Sequence, residues 1–475
     1  MEEAQAQVKV QRISSVAPVI PTERHPMFLA NIDLLWLPVN NVQRILFYRI
    51  PPENQYPSIV ESLKKSLSSV LVYFYPLAGR LDKGESGRLE VDYNDEGVEF
   101  VEASIDIPFS FLERDGFQYM PFFQDLVPKV NPLQDLVPKV DPLQDHNCPR
   151  SFLSVQVTCF QGEGMCIGTT LHHIIADGKS YWNFMKSWAE VSRGLPVSNP
   201  PLHSRQLFKV ENKKPITISY KPHEIEINGI KGAQIFKFLP DDLQAVQEKT
   251  TSAEETQKIL ELWLCQKTEV VYSTFCFTEE NIRALKKQSG AVSSLVAVAA
   301  HFWRSVMIAR EVPDEDHVIF SVLADCRGRV KPPLPTSYFG NCLSMGVVRT
   351  TAKTLLSNNL CFAAGLIQEL INSCTSETHI NNMIDWLDSP DSGFLSLINE
   401  LGSVYGTNVI SSHRFPVYEI DYGWGRPLNV LAASMNENGS MVLFGANDGG
   451  GSIHVSTRLP RDQMDTLTRH VSVSH

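Results

Sequence analysis

Two adjacent histidines with an aspartate and a glycine close behind them form the segment of this chain best suited to proton chemistry. The segment reads His172-His173-Ile174-Ile175-Ala176-Asp177-Gly178. An imidazole titrates near neutral pH, so a histidine facing a cavity can act as a general base. Asp177 can either orient His173, as the aspartate of a catalytic triad does, or begin a helix and pair with an arginine.

Three other interpretations of this segment compete with proton transfer. A packed, hydrogen-bonded pair of core histidines is the simplest of them. A metal site is not favoured, because no second cluster of His, Cys or Asp has ligand spacing, and we predict none. The run Gly178-Lys179-Ser180 is similar to the end of a phosphate-binding loop, but that loop needs glycine where the chain has His173.

The histidine segment is predicted to join a strand to a helix. Residues 165–171 are typical of a buried strand, and apolar residues recur at helical spacing from Tyr181 to Arg193. Side chains alternate along a strand, so His172 and His173 should point to opposite faces. Glycine at Gly178 permits a tight turn or a close backbone approach. The polar residues are therefore expected on a turn, with one histidine free to face a cavity.

Six motifs in a fixed order carry a family resemblance that covers nearly the whole chain. His173-x-x-x-Asp177-Gly178 resembles the HxxxD motif of the BAHD acyltransferases, a plant family that uses acyl-CoA. Asp421-Tyr422-Gly423-Trp424-Gly425 resembles the DFGWG signature of that family, with Tyr for Phe. The other matches are Tyr75-Pro76-Leu77-Ala78-Gly79-Arg80, Ser293-Ser294, Asp325-Cys326-Arg327 and Tyr338-Phe339-Gly340-Asn341-Cys342.

The resemblance implies an α/β fold with two chloramphenicol-acetyltransferase-like domains. Each would be a mixed β-sheet with flanking helices, and an active-site tunnel would run between them. A length of 475 residues suits two domains. We predict an N-terminal acyltransferase domain at 1–195 carrying HxxxD and a Pro-rich crossover at 196–232. A C-terminal domain at 233–475 would carry the Asp421–Gly425 motif and a CoA-binding helix start.

Acyl transfer from a thioester suits a histidine base. Neutral His173 would take the proton of the acceptor as it attacks the thioester, and the imidazolium would then protonate the leaving thiolate. No acyl-enzyme is expected, because the chain has no G-x-S-x-G nucleophile elbow and no visibly activated cysteine. Acyl-CoA is expected as a co-substrate, with no bound cofactor.

The resemblance also implies roles for residues outside the histidine segment. It favours a structural Asp177 that pairs with Arg327 and clamps the two halves. Asp421 is sometimes treated as a second functional residue in the family, and we count it as a catalytic candidate. Its glycine-rich surroundings nevertheless favour loop architecture, in which Gly423, Trp424 and Gly425 are structural.

A predicted helix that opens at Ser293 and Ser294 could bind the phosphate of CoA. Free amides and hydroxyls at a helix N-terminus suit an anion, and a plain N-cap is compatible with that role.

The acceptor is less closely defined. Residues 410–416 lack the Thr-x-Trp stretch that the shikimate-type branches carry before DFGWG. Together with the Asp325-Cys326-Arg327 and Tyr338–Cys342 matches, this makes the resemblance closest to the branch that acylates anthocyanins and other phenolic or flavonoid glycosides, at a hydroxyl. Two alternatives stay open: N-acylation of a polyamine or other amine by the same mechanism, and a catalytically silent member that serves as a binding protein.

Composition excludes several function classes. The net charge of −11 argues against a nucleic-acid surface. Nine cysteines without a C-x-x-C pair indicate reduced thiols in a cytoplasmic protein. The polar N-terminus predicts no signal peptide, and the lack of a long apolar run predicts no membrane span. We expect a monomer that binds acyl-CoA and a small acceptor.

Local patterns predict further elements and one repeat. In the second half they predict helices at 253–265 and 278–290, a long buried helix from Ser293, strands at 269–277 and 318–323, and a terminal hairpin at 441–459. Residues 125–134 recur almost unchanged at 135–144, which predicts a duplication within a surface loop.

Overall fold

The computed structural model describes residues 7–22, 26–36, 41–50, 56–84, 88–129, 151–162, 164–208, 218–240, 269–388, 405–435 and 438–472. They form a mixed α/β fold that divides into two compact units. The N-terminal unit comprises Met1–Lys209, Leu334–Cys342 and Arg414–Asn436. The C-terminal unit comprises Val210–Pro333, Leu343–His413 and Glu437–His475. The helix predicted at 253–265 lies outside the described residues.

The strands follow in chain order. They are β1 (Val8–Val16), β2 (Met27–Phe28), β3 (Val42–Arg49), β4 (Arg80–Lys83), β5 (Leu89–Asp92), β6 (Val98–Pro108), β7 (Leu153–Gln161), β8 (Gly164–Leu171), β9 (Ile218–Ile227), β10 (Ile230–Pro240), β11 (Val270–Phe277), β12 (His317–Asp325), β13 (Leu343–Thr351), β14 (Gly406–Val409), β15 (Asn429–Ala432), β16 (Val442–Gly445) and β17 (Ile453–Pro460).

The helices are numbered in the same way. They are α1 (Asn31–Leu34), α2 (Tyr56–Val70), α3 (Phe109–Arg114), α4 (Gly178–Ser192), α5 (Glu279–Ser289), α6 (Ser294–Ala309), α7 (Ala352–Ser357), α8 (Leu360–Cys374), α9 (Glu377–Leu387) and α10 (Arg461–His470). Short 3-10 helices span Tyr75–Ala78, Pro121–Asp125, Gln206–Phe208 and Val417–Glu419.

A six-stranded sheet in the order β1-β6-β7-β8-β3-β15 forms the centre of the N-terminal unit. The pair β6 and β7 is parallel, and the remaining neighbours are antiparallel. Strand β8 is buried along its whole length, as the apolar run at 165–171 predicts. Helices α2 and α4 pack together, and the indole of Trp188 in α4 donates to the Ser66 hydroxyl of α2 at 3.0 Å. This packing supports the helix that follows the histidine segment.

The two units differ from the predicted domains in two respects. The predicted crossover at 196–232 includes β9 and the start of β10, which belong to the five-stranded sheet of the C-terminal unit. Residues 334–342 and 414–436 lie in the N-terminal unit, although the prediction placed them in the C-terminal domain. Strand β15 pairs with β3 of the central sheet, and this pairing brings the second segment back to the first half of the chain. The glycine-rich motif at 421–425 therefore belongs to the unit that carries the histidines.

The first part of the tandem repeat is packed against the central sheet. Leu126 and Val127 are buried, and the Thr170 hydroxyl of β8 donates to the carbonyl of Pro128 at 2.8 Å. The prediction of a surface loop over 125–144 is wrong for these residues, because an apolar Leu-Val pair gains free energy by leaving water. The rest of the repeat, from 130 onward, lies outside the described residues.

A five-stranded sheet in the order β14-β12-β13-β10-β9 and a three-stranded sheet in the order β11-β17-β16 form the C-terminal unit. The long helix α6 is buried on nearly every side, which confirms the buried helix predicted from Ser293. Strands β16 and β17 form the predicted terminal hairpin. Among the described helices, none is by itself long and apolar enough to cross a membrane, whereas α5 and α6, bent by 80°, pass that test as a pair.

Candidate functional site

The histidine segment connects β8 to α4, as its sequence predicts. Asp177 is the N-cap of α4, with extended backbone and its Oδ1 accepting the amide of Ser180 at 3.0 Å. Residues 174–176 are completely buried and hold the turn in place. Gly178 opens the helix under the ring of Phe415, which a Cβ atom at this position would meet at 3.1 Å. The close approach expected of Gly178 is therefore present.

The two histidines have different surroundings. His172 is buried, and its Nδ1 accepts the amide of Ile174 at 3.2 Å. His173 is partly exposed, and its ring stacks on the indole of Trp36 with centroids 4.2 Å apart. Of the two, His173 keeps partial exposure and has a ring fixed by stacking, so it is the better candidate for a base.

The carboxamide of Asn341 decides which nitrogen of His173 carries the proton. Asn341 Nδ2 lies 2.9 Å from the carbonyl of His173, 3.2 Å from that of Ile174 and 3.0 Å from Asp33 Oδ1. These neighbours are all acceptors, so the amide must turn its Oδ1 toward His173 Nδ1, 3.1 Å away. Because Oδ1 can only accept, Nδ1 donates and Nε2 keeps its lone pair.

The surroundings of His173 also favour its neutral form. Burial lowers its pKa below the ordinary 6.5, and the charge of Arg44 acts in the same direction. The backbone of His173, the charge of Asp177 and the hydrogen bond to Asn341 oppose the shift without cancelling it. A neutral imidazole with its lone pair on Nε2 is available to accept a proton near neutral pH.

Asp177 binds backbone amides. Its second oxygen, Oδ2, accepts the amide of Cys342 at 3.0 Å, in addition to the bond with Ser180. The imidazole of His173 is oriented instead by Asn341, so the structural interpretation of Asp177 describes these contacts better than the triad interpretation does. Asn341 belongs to the Tyr338–Cys342 motif, which resembles a family motif but for which the sequence predicted no role.

Residues 338–342 lie directly against the start of α4. The Ser180 hydroxyl accepts the amide of Gly340 at 3.1 Å and also lies 3.0 Å from its carbonyl. A side chain at Gly340 has no space, because a Cβ atom would lie 2.6 Å from Arg205 Cζ. The motif therefore brings Asn341 to His173 through backbone contacts and a tightly packed glycine.

Arg327 lies in the C-terminal unit and is almost completely buried. Its Nη1 donates to Asp325 Oδ1 at 2.8 Å, and its amide donates to the same oxygen at 3.3 Å. The Asp325-Cys326-Arg327 motif thus contains its own ion pair. Pairing of Arg327 with Asp177 stays a prediction.

Asp421 organises the loop that it begins. Its Oδ1 accepts the amides of Gly423 at 2.8 Å and Gly425 at 3.0 Å. Both glycines have positive φ, +114° and +112°, a region that strongly favours glycine. These contacts support loop architecture, and a direct catalytic role of Asp421 stays a prediction.

The aromatic residues of this loop pack against β3 and α4. The rings of Tyr422 and Trp424 stack with centroids 5.6 Å apart, and each meets Tyr48 of β3 edge-on. Trp188 of α4 contacts Tyr422 at 5.0 Å. The hydroxyl of Tyr422, which the family signature lacks, is buried without a hydrogen-bond partner among the described residues.

Ser293 and Ser294 open α6 as predicted. Ser293 is the N-cap, and its side chain makes no capping hydrogen bond. The Ser293 hydroxyl therefore makes no capping bond to the first amides of the helix, which is compatible with anion binding there. In the described ranges, no group of three or more His, Cys, Asp or Glu side chains could hold a metal ion.

Family comparison and curated relatives cover nearly the whole chain. The family model described as "Transferase family" matches residues 6–473. A hydroxycinnamoyltransferase of Narcissus pseudonarcissus is 29% identical over 96% of this chain and 97% of its own. The BAHD acyltransferase DCR of Arabidopsis thaliana is 30% identical over 97% and 91%. Anthranilate N-benzoyltransferase protein 1 of Dianthus caryophyllus is 28% identical over 95% and 96%.

Solved structures show the same fold. Vinorine synthase superimposes with a TM-score of 0.70 at 21% identity, over 98% of this chain and 99% of its own. TRI101 of F. graminearum, solved with coenzyme A and deoxynivalenol, superimposes with a TM-score of 0.71 at 15% identity, over 94% and 97%. At these identities the likeness concerns the fold alone.

Proposed function

The chain belongs to the BAHD acyltransferase family, and we propose that it transfers an acyl group from acyl-CoA to a hydroxyl of a phenolic or flavonoid glycoside, with His173 as general base. The observation that carries the base assignment is the hydrogen bond of His173 to Asn341 at 3.1 Å, which leaves the lone pair on Nε2.

The proposed reaction needs a single proton carrier. Nε2 of His173 takes the proton of the acceptor hydroxyl while the oxygen attacks the thioester carbonyl. When the tetrahedral intermediate collapses, the carbon–sulfur bond breaks and the imidazolium returns the proton to the CoA thiolate. The proton is thus conserved, and no acyl-enzyme forms. During this cycle the bond from Nδ1 to Asn341 persists, because Nδ1 is protonated in both states.

The other predicted residues then have supporting roles. Asp177 holds residues 338–342 against α4, and Asp421 closes the loop that packs against β3. We propose that the uncapped N-terminus of α6 at Ser293 and Ser294 binds a phosphate of CoA. A double Ser→Ala variant at these positions should raise KM for acyl-CoA more than it lowers kcat.

N-acylation is a second candidate with a specific observation behind it. The Dianthus relative is named for benzoyl transfer to the nitrogen of anthranilate, and it covers 95% of this chain, against 96% for the hydroxycinnamoyltransferase. The same base can deprotonate an attacking amine, so the site chemistry does not separate the two acceptors. Their identity must come from product analysis.

The function is tested by assaying several acyl donors and acceptors and by comparing the wild type with a variant that lacks the proposed base. The wild-type protein is incubated with hydroxycinnamoyl-, benzoyl- or malonyl-CoA and with a phenolic glucoside, anthranilate or a polyamine, and products are measured by mass spectrometry. His173→Ala should lower kcat by on the order of 10² to 10⁴. The exposed His317 provides a control, and His317→Ala should leave kcat unchanged.

Two results would contradict the proposal. A folded His173→Ala variant with full turnover would remove the base assignment. Thermal stabilisation by CoA without any product from these acceptors and a plant extract would instead favour the silent binding protein.

A further inference from the structure

A buried ion pair lies directly behind the residue that orients His173. Asp33 and Arg205 are both almost inaccessible to solvent, and Arg205 Nε lies 3.2 Å from Asp33 Oδ2. The amide of Ala30 shares this oxygen at 3.2 Å. Neither residue belongs to the six motifs that carry the family resemblance.

The other oxygen of Asp33 is used by Asn341. Asp33 Oδ1 accepts the backbone amide of Asn341 at 3.2 Å and its side-chain Nδ2 at 3.0 Å. A negatively charged oxygen at this position attracts the NH₂ group and repels the amide oxygen. The carboxylate therefore favours the Asn341 orientation that presents Oδ1 to His173.

Arg205 connects both segments that form the site. Its Nη1 donates to the carbonyl of Phe339, next to the Asn341 segment, and its Nη2 donates to the carbonyl of Ile175 at 2.9 Å. Its guanidinium also lies over the ring of Tyr338, 5.5 Å from the centroid. The positive charge opposite Asp33 is thus held by both segments.

A buried ion pair is a poor means of gaining stability, because removing two charges from water costs about as much as their attraction returns. Because Asp33 is hydrogen-bonded directly to Asn341, the ion pair is placed to influence the orientation of the Asn341 amide. We propose that Asp33 is a positioning residue that acts through Asn341 to keep the proton of neutral His173 on Nδ1, and that Arg205 supplies the opposite charge for Asp33. This inference rests on the proposed function of His173.

The variant Asp33→Asn keeps the shape and removes the charge. The Oδ2 position faces two donors, Arg205 Nε and the Ala30 amide, so the new amide should place its oxygen there. Its NH₂ group would then face Nδ2 of Asn341, donor against donor, and would favour a flip of the Asn341 amide. After the flip, Nδ2 of Asn341 would donate to Nδ1 of His173 and move the ring proton to Nε2.

The direct test is the tautomer of His173, read from the ¹⁵N shifts of its ring nitrogens in histidine-labelled protein above the imidazole pKa. The His173 signals are assigned by their loss in His173→Ala. The wild type should carry the proton on Nδ1, and Asp33→Asn should show a substantial Nε2–H fraction. A wild-type proton on Nε2 would overturn the inference, and so would a folded Asp33→Asn variant whose ring proton stays entirely on Nδ1.

Kinetics provide the second measurement. Asp33→Asn should lower kcat by on the order of 10 to 10³, less than the roughly 10⁴ that a wrong tautomer costs a catalytic triad. The smaller loss is expected because the carbonyls of His173 and Ile174 still favour the original amide orientation. KM for acyl-CoA should change by less than about threefold, because no ligand group is removed.

A double variant separates positioning from support of the fold. If Asp33 acts through Asn341, Asp33→Asn should lower kcat in the wild type but change it by less than about threefold in an Asn341→Ala background, because the residue that transmits its effect is then missing. A full additional loss in that background would show that Asp33 supports the site by another route and would overturn the inference.

Glu190→Gln is the matched control for losing a buried carboxylate. Glu190 is buried in the same unit and accepts the amide of Ser198 at 2.9 Å and its hydroxyl at 2.7 Å. This variant should lower the unfolding midpoint and leave the His173 tautomer unchanged. The tautomer is measured without turnover. An unexpected tautomer therefore contradicts the role of Asp33, whereas full turnover by His173→Ala contradicts the proposed function of His173.

Discussion

The amide of Cys342 donates to Oδ2 of Asp177 at 3.0 Å, so this aspartate joins two distant segments of the chain through a backbone contact. The same carboxylate caps α4 through Ser180. The four-residue spacing of His173 and Asp177 thus reflects the geometry of a turn, because the histidine lies two residues after the end of β8 and the aspartate caps α4.

Replacement of Asp177 by asparagine should weaken the fold more than the chemistry. Asparagine keeps one acceptor for Ser180 or Cys342 and turns an NH₂ group toward the other amide. We expect the free energy of unfolding to fall by about 1–3 kcal/mol. Denaturant unfolding measures this change, and kcat per folded molecule should fall less than in His173→Ala. An unchanged midpoint with a kcat as low as that of His173→Ala would contradict the structural role.

The pH dependence of activity should follow the imidazole of His173. Burial lowers its pKa below 6.5, and only the neutral form accepts a proton. The value of kcat/KM should therefore be constant above about pH 6.5 and should fall on acidification below it. A stopped assay from pH 4.5 to 8 at constant ionic strength measures this acidic decrease in kcat/KM. An acidic limb centred above pH 6.5 in the wild type, and absent from the residual activity of His173→Ala, would contradict burial as the cause that sets the pKa of His173.

Phenylalanine at position 422 should stabilise the protein. The hydroxyl of Tyr422 is buried without a described partner, and its removal ends the cost of keeping it from water. We expect Tyr422→Phe to raise the free energy of unfolding by about 1 kcal/mol. Tyr48→Phe is the control, because Tyr48 donates to the carbonyl of Ile420 at 2.9 Å and its removal should destabilise. Equal effects of the two variants would mean that Tyr422 has a partner.

The local part of this site could be predicted from the sequence. The run at 165–171, the N-cap at Asp177 and the helix after it depend on periodicity and on residues a few positions apart, and the structure confirms them. The pairing of β15 with β3 has no local signal, because both strands look like ordinary apolar segments. The domain assignment of the glycine-rich motif therefore could not be predicted.

The residues that orient His173 could not be predicted from the sequence for the same reason. Asn341 stood in a motif, but an asparagine beside Gly340 is also typical of a turn. Asp33 lies in a short apolar stretch and Arg205 in a polar connection, and only the folded chain shows that they form a pair. A polar network between distant segments leaves no periodic pattern in the sequence. The order of the motifs therefore predicts the family but not the hydrogen bonds of Asp33, Arg205 and Asn341.

A variant at Asp421 should separate loop closure from catalysis. Asp421→Ala removes the acceptor of the Gly423 and Gly425 amides, and we expect a loss of about 1–2 kcal/mol in stability. Gly423→Ala disturbs the same loop through its positive φ and should cost a similar amount. Both variants should retain more of kcat than His173→Ala does. A stable Asp421→Ala variant as slow as His173→Ala would restore the catalytic candidate.

The buried Leu126 and Val127 have a consequence for how this chain can change. The sheet holds them through apolar contact and through the carbonyl of Pro128, and the duplicated segment carries the same Leu-Val-Pro as Leu136-Val137-Pro138. A substitution in the first copy leaves the same apolar sequence intact ten positions further along the chain. Removal of either ten-residue unit would therefore leave one Leu-Val-Pro at the same distance from the residues that precede the repeat.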